Sequence, residues 1–87
     1  MDIGGRSGEM EVFAMVAEHG SLSGAARALG LTPSAISRII TRTERRIGTR
    51  LLLRTTRALT FTAEGEAYLR GARRILADMA EVEDAIT

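Results

Sequence analysis

Apolar residues recur at helical spacing through most of this chain, and the breaks fall at glycines, hydroxyl residues and a single proline. Met10, Phe13, Val16 and Ala17 share one face of a helix predicted over residues 9–19, which Gly20 ends. Ser21 is an N-cap residue type and places a second helix over 22–29. Thr32 caps a third, Pro33 sits in its first turn, where a missing N–H does no harm, and Gly48 closes it after Ile47. Residues 49–54 and 59–61 read as two short strands around a hairpin. Thr62 then caps a last helix over 63–85, with Glu64 early in it, where negative charge is favoured. Residues 1–8 are glycine-rich and unpatterned, and read as a flexible arm. They follow no strand and hold no lysine, so they do not make a phosphate-cradling loop.

One spacing inside this pattern is specific. Ala26, Gly30 and Ile36 put a small residue on the second helix, a turn glycine four positions later, and an apolar β-branched residue on the third. The small residue admits a close helix crossing, and glycine takes the left-handed turn without steric cost. Ala25, Leu29 and Leu31 fill neighbouring inward positions. This is the layout of a helix-turn-helix, which leaves the outer face of its second member free to enter a DNA groove.

On a wheel at 100° per residue, Ile36, Ile40, Thr43 and Ile47 form one face of the third helix, with Ile39 at its edge and Glu44 at the border. Ser34, Ser37, Arg38, Thr41 and Arg45 lie opposite, without a carboxylate among them. A merely solvated helix would mix both signs there for i,i+4 pairing. The hairpin tip adds Arg54, Thr55 and Arg57, chemistry suited to phosphate or to a minor groove.

Net charge is only +1 over 87 residues, so the distribution carries the information. Between Arg27 and Arg57 stand eight arginines and one acid, Glu44, whereas both flanks are acidic. A basic middle on a near-neutral domain is the footprint of a polyanion-binding surface. All twelve basic residues are arginine, whose planar fork suits phosphate and guanine; a GC-rich coding sequence produces the same bias.

Composition narrows the remaining classes. With 45% hydrophobic and 3% aromatic residues, the core is aliphatic and the chain makes one domain. Cysteine is absent, which excludes a disulfide framework or a thiolate metal site and fits a cytoplasmic setting. No apolar run reaches the roughly 20 residues of a membrane span. His19, the one histidine, falls in the last turn of the first helix, where it suits the negative helix end. With no partner for it and no carboxylate cluster in the basic middle, an enzyme, a metal and a cofactor are not expected.

The last helix carries Leu69, Ala72, Ile75, Leu76, Met79, Val82 and Ile86 as one stripe. At 1.5 Å per residue it runs well beyond a small three-helix core. Its apolar seam calls for a partner, most simply the same helix of a second copy. The expected pairing residues are Leu69, Ala72, Leu76, Met79, Val82 and Ile86.

Together these residues resemble the N-terminal DNA-binding domain of LysR-type transcriptional regulators. The landmarks are Phe13, Val16, Gly20-Ser21, Ala25-Ala26, Leu29, Ser37-Arg38, Ile40, Glu44, Ile47-Gly48, Leu51, Arg54, Arg57, Thr62 and Gly65. The resemblance implies a mainly α fold: a winged helix-turn-helix over 9–61, a two-stranded wing, and a long linker helix over 62–87 that pairs with its twin. It also implies a small-molecule inducer, sensed by a C-terminal domain absent from these residues. Its sites are interrupted palindromes in double-stranded DNA, and its setting is cytoplasmic, at the nucleoid when bound.

Carried over by position, the base readers are Pro33, Ser34, Ser37 and Arg38. Arg38 is suited to two bonds with guanine O6 and N7. Ser21, Ser23 and Thr32 near helix N-termini are candidates for the DNA backbone. So are Thr41, Arg42, Arg50, Arg54 and Thr55, and Arg57 for the minor groove. Three positions depart from the family pattern: Thr43 stands where leucine is usual, Leu52 where phenylalanine is common, and Ile39 where glutamine is frequent. Two neighbouring readings stay open. The related winged helix of molybdate-responsive regulators looks similar, and a helical dimer with a basic face suits an acidic protein. Only a DNA reader needs the serines set beside the arginines.

Overall fold

The computed structural model describes residues 5–55 and 59–87. Residues 1–4 of the expected arm and residues 56–58 of the wing tip, Arg57 among them, lie outside the described residues. The order is α1 (Arg6–His19), α2 (Leu22–Leu29), α3 (Pro33–Ile47), β1 (Leu52–Arg54), β2 (Leu59–Phe61) and α4 (Ala63–Ile86). The mainly helical, winged architecture is the one the pattern predicts.

Local chemistry sets the boundaries. Ser21 Oγ accepts from Gly24 N at 2.9 Å, Thr32 Oγ1 from Ala35 N at 3.1 Å, and Thr62 Oγ1 from Gly65 N at 2.9 Å. Gly20, Gly30 and Gly48 end α1, α2 and α3 in the left-handed region. α1 starts at Arg6, ahead of the predicted residue 9, so residues 6–8 are helix rather than arm. Gly8 and Glu9 are buried there, and a glycine-rich string shows no sign of such packing. The inward face of α1 is also rotated: Val12 joins Phe13 and Val16 in the core, whereas Met10 and Ala17 are half-buried.

The core gathers Val12, Phe13 and Val16 from α1, Ala25 and Ala26 from α2, Ile36, Ile39 and Ile40 from α3, and Leu51 and Leu52 at the wing. The three aromatic residues of the chain meet in one cluster. Phe13 lies edge-on to Phe61 at 5.2 Å and to Tyr68 at 5.1 Å, joining α1 to β2 and α4. The strands pair antiparallel with Leu52 opposite Phe61, Leu53 opposite Thr60 and Arg54 opposite Leu59.

The first turn of α4 closes on the start of the wing. Thr62 N donates to Leu51 O at 3.1 Å, and Thr62 Oγ1 donates to Arg50 O at 2.7 Å. A Cβ on Gly65 would stand 1.9 Å from Leu51 O, so only glycine fits that approach. Beyond this joint α4 packs chiefly on α1 and then leaves the domain. Its 24 residues span about 36 Å, against a longest dimension of 44 Å for the molecule. None of the described helices is long and apolar enough to cross a membrane.

Candidate nucleic-acid interface

α3 is sided as the wheel predicts on its outward half. Pro33, Ser34, Arg38, Arg42 and Arg45 are exposed, with Ser37 and Thr41 half-buried between them. Ser37, Arg38, Thr41, Arg42 and Arg45 line one shallow groove along the helix. Thr41 and Arg45 also line a second groove with Glu44, Thr49, Arg50 and Arg54, where the end of α3 meets the wing. The structure therefore brings together six of the expected site residues: Ser37, Arg38, Thr41, Arg42, Arg50 and Arg54. Ser23 and Thr55 are exposed, at the first turn of α2 and just past β1. The hydroxyl oxygens of Ser21 and Thr32 already accept helix N–H groups. Each keeps its own O–H to donate to a phosphate.

The inward half of α3 differs from expectation at two places, Ile47 and Glu44. Ile47 is 42% exposed, because the helix is ending and Gly48 turns the chain away. Glu44, read as a border residue, is buried; its Oε2 accepts Leu51 N at 2.9 Å and Leu52 N at 3.1 Å, with Arg50 Nε at 3.4 Å. One carboxylate thus satisfies two buried donors at the start of the wing and fixes the wing to α3. Thr43 is also buried, and its hydroxyl donates to Ile39 O at 2.9 Å, which lets threonine stand in an apolar row. Ile39 and Leu52 are core residues. Ile39 therefore faces away from the groove.

A second buried acid was not foreseen. Glu9 of α1, 4% exposed, accepts from Arg46 at 2.6 Å and from Arg42 Nε at 3.1 Å. Burial pushes its carboxyl up, but the bonds and charges of Arg46 and Arg42 outweigh that and hold the pKa below its ordinary value. Arg42 and Arg46 sit one turn apart on α3, and such a pair was the only sequence signal that an acid from elsewhere lies between them. The charge of the basic middle is consequently uneven. Arg42 and Arg46 are tied to Glu9 and Arg50 to Glu44, whereas Arg38 and Arg45 make no ion pair among the described residues.

The wing reaches the recognition face directly: Arg54 Nη1 donates to Ser37 Oγ. On α4 the expected pairing residues divide into two groups. Ala72 is buried, Leu69 packs against the core and Leu76 is half-buried, so these three serve the fold of a single chain at least in part. Met79 at 41%, Val82 at 61% and Ile86 at 82% exposure are bare, together with Ile75. Ile75, Met79 and Val82 line an apolar groove bordered by Asp78 and Glu83.

Comparison with known proteins gives a consistent result. Residues 8–66 match the model of the bacterial regulatory helix-turn-helix proteins of the lysR family. The chain is 51% identical over 77 residues to the HTH-type transcriptional regulator CrgA of Neisseria meningitidis, covering 88% of this chain and 26% of that protein. Among solved structures, the complex of the CbnR DNA-binding domain with DNA has a TM-score of 0.83 at 33% identity. It covers 98% of this chain and 93% of that one. The BenM DNA-binding domain with catB site 1 DNA has a TM-score of 0.86 at 26% identity, covering 99% and 92%. The chain thus spans about a quarter of the length of the curated relative and nearly all of the two solved DNA-binding domains.

Proposed function

Because this chain belongs to the lysR family of bacterial regulatory helix-turn-helix proteins, we propose that it binds an interrupted palindrome as a homodimer. In each copy α3 enters a major groove and the wing lies near the adjacent minor groove. The observation that carries this reading is the outer face of α3: serines and a threonine beside arginines, with no carboxylate, at the centre of a rigidly capped helix. Pro33, Ser34, Ser37 and Arg38 read bases, and Arg38, which makes no ion pair among the described residues, is the strongest candidate for guanine. Ser21, Ser23, Thr32, Thr41, Arg42, Arg50, Arg54, Thr55 and Arg57 hold the backbone or the minor groove.

The dimer forms through Ile75, Met79, Val82 and Ile86, whose spacing is that of a coiled-coil seam. Charge favours an antiparallel order. Arg70, Arg73 and Arg74 precede this seam, and Asp78, Glu81, Glu83 and Asp84 accompany it. Antiparallel pairing of this seam brings Arg73 and Arg74 to within about a turn of the other copy's Glu83 and Asp84, whereas parallel pairing sets each charged group beside its own like. The protein acts by binding in the cytoplasm, at the nucleoid. A small-molecule inducer works through a further domain outside these 87 residues.

Selection of sites from a random DNA library, followed by titration of the best site and a scrambled control across salt, tests this reading. A two-fold symmetric site held orders of magnitude more tightly than the control is expected. Half-sites should lie about one helical turn, roughly 34 Å, or a multiple of it apart. Equal, steeply salt-dependent binding of both DNAs would reduce the site to an arginine stripe without sequence reading.

A further inference from the structure

We propose that Arg54 is a specificity-determining residue that acts through Ser37: it fixes the Ser37 hydroxyl as a hydrogen-bond donor toward DNA. This inference rests on the assignment of Ser37 as a base reader. The geometry begins with Arg54 at the end of β1, half-buried, donating from Nη1 to Ser37 Oγ on the recognition face of α3. That contact joins residues 17 apart in sequence and ties the wing to the middle of α3.

The chemistry of the two groups sets the polarity. A guanidinium only donates, so Ser37 Oγ can only accept from it. The serine hydroxyl has one proton and two lone pairs; Arg54 occupies one lone pair, and its positive charge weakens the other as an acceptor. The proton cannot point at the arginine. Among the described residues Ser37 shows no bond back to the carbonyl one turn earlier, the usual local partner of a serine within a helix. The O–H is therefore left to donate into the groove, and the cationic donor behind it polarises that bond further. A donor in a major groove pairs with guanine O6 and N7, adenine N7 and thymine O4, and is mismatched against the amino group of cytosine. Without Arg54 the hydroxyl is a free rotor that both donates and accepts, and it tolerates either kind of base edge. Arg54 thus restricts which bases Ser37 accepts without touching a base itself.

The test compares base preferences of the wild-type chain, Ser37→Ala, Arg54→Ala, Arg54→Lys and the Ser37→Ala/Arg54→Ala pair on the site selected by the wild type. Circular dichroism and thermal melting confirm that each variant is folded. Ser37→Ala and Arg54→Ala should lose discrimination at the same base pair, by about 3- to 10-fold each. The double variant should lose no more there than either alone, because one interaction is removed twice. Arg54→Lys, which keeps a charged donor, should recover part of the preference. If Arg54→Ala weakens all sequences equally and leaves the preference at that base pair intact, Arg54 is a phosphate ligand only and the proposal is overturned. If the wild type selects no site at all, the DNA-reading assignment fails instead, and the two failures are distinct.

Discussion

α3 and α4 are both amphipathic, and what each leaves uncovered is opposite in kind. α3 buries an isoleucine row and resolves the polar groups at its edges with Glu9, Glu44 and the Thr43 hydroxyl; its open face is hydroxyl and guanidinium. α4 buries Gly65 and Ala72 in its first half and leaves an aliphatic seam bare in its second. The first open face is matched by a polyanion, the second by another apolar helix. A single small domain thus presents two surfaces whose partners cannot be exchanged, since an apolar helix would desolvate unpaired arginines at high cost and a polyanion would leave the aliphatic seam in water.

The sharpest way to break this division is at the joint between the two regions. Gly65→Ala sets a methyl group against the Leu51 carbonyl, which belongs to the backbone and cannot rotate away. A loss of about 3 kcal/mol is expected, a large fraction of the stability of a domain this size and measurable by thermal melting. Next comes Glu44→Ala, which strands two buried N–H groups at the wing. It should cost about 3 kcal/mol in urea denaturation, whereas Glu44→Gln, which keeps an acceptor, should cost less than half of that.

Val82→Asp addresses the other region by itself. Its side chain is exposed in the single chain, so the far-UV spectrum should not change, while sedimentation equilibrium should show dimer dissociation raised at least about tenfold. Charge orders the dimer more finely. Reversing Arg73 and Arg74 to glutamate should weaken association, and adding Glu83→Arg with Asp84→Arg should restore it in an antiparallel pair.

The smallest effect belongs to Glu9. Its folded-state pKa is lowered, so the stability it contributes is present in full above the ordinary carboxylate value of 4.5 and is lost as pH falls through the lowered value. Glu9→Gln should cost about 1–2 kcal/mol at neutral pH, because both arginines regain water. It should also flatten the acid limb of the stability curve, recorded as melting temperature against pH. A wild-type limb as flat as that of the variant would remove Glu9 from the support of α3.

Much of this was legible in the chain. The Ala26, Gly30 and Ile36 spacing, the caps Ser21, Thr32 and Thr62, and the serine-arginine face of α3 are local statements, each written within a turn or two of sequence. What periodicity missed was polar and non-local. Glu9 and Glu44 look like surface residues because glutamate usually is one, and their burial depends on arginines and N–H groups that only folding brings to them. Gly65 stood among the family landmarks, but the reason for it, the Leu51 carbonyl standing against it, is visible only in the fold. Leu69 and Ala72 shared the stripe of Met79 and Val82, and only packing against the body of the domain separated core from open seam.

The sequence by itself determined where the helices and wing lie and which face of α3 is cationic, since helix caps, left-handed glycines and apolar periods act over a few residues. The tertiary structure alone decided which arginines are tied to internal carboxylates and which are not, and where along α4 the core stops. Those outcomes depend on carboxylates, carbonyls and apolar surfaces that meet from distant parts of the chain, where desolvation, ion pairing and shape are settled together.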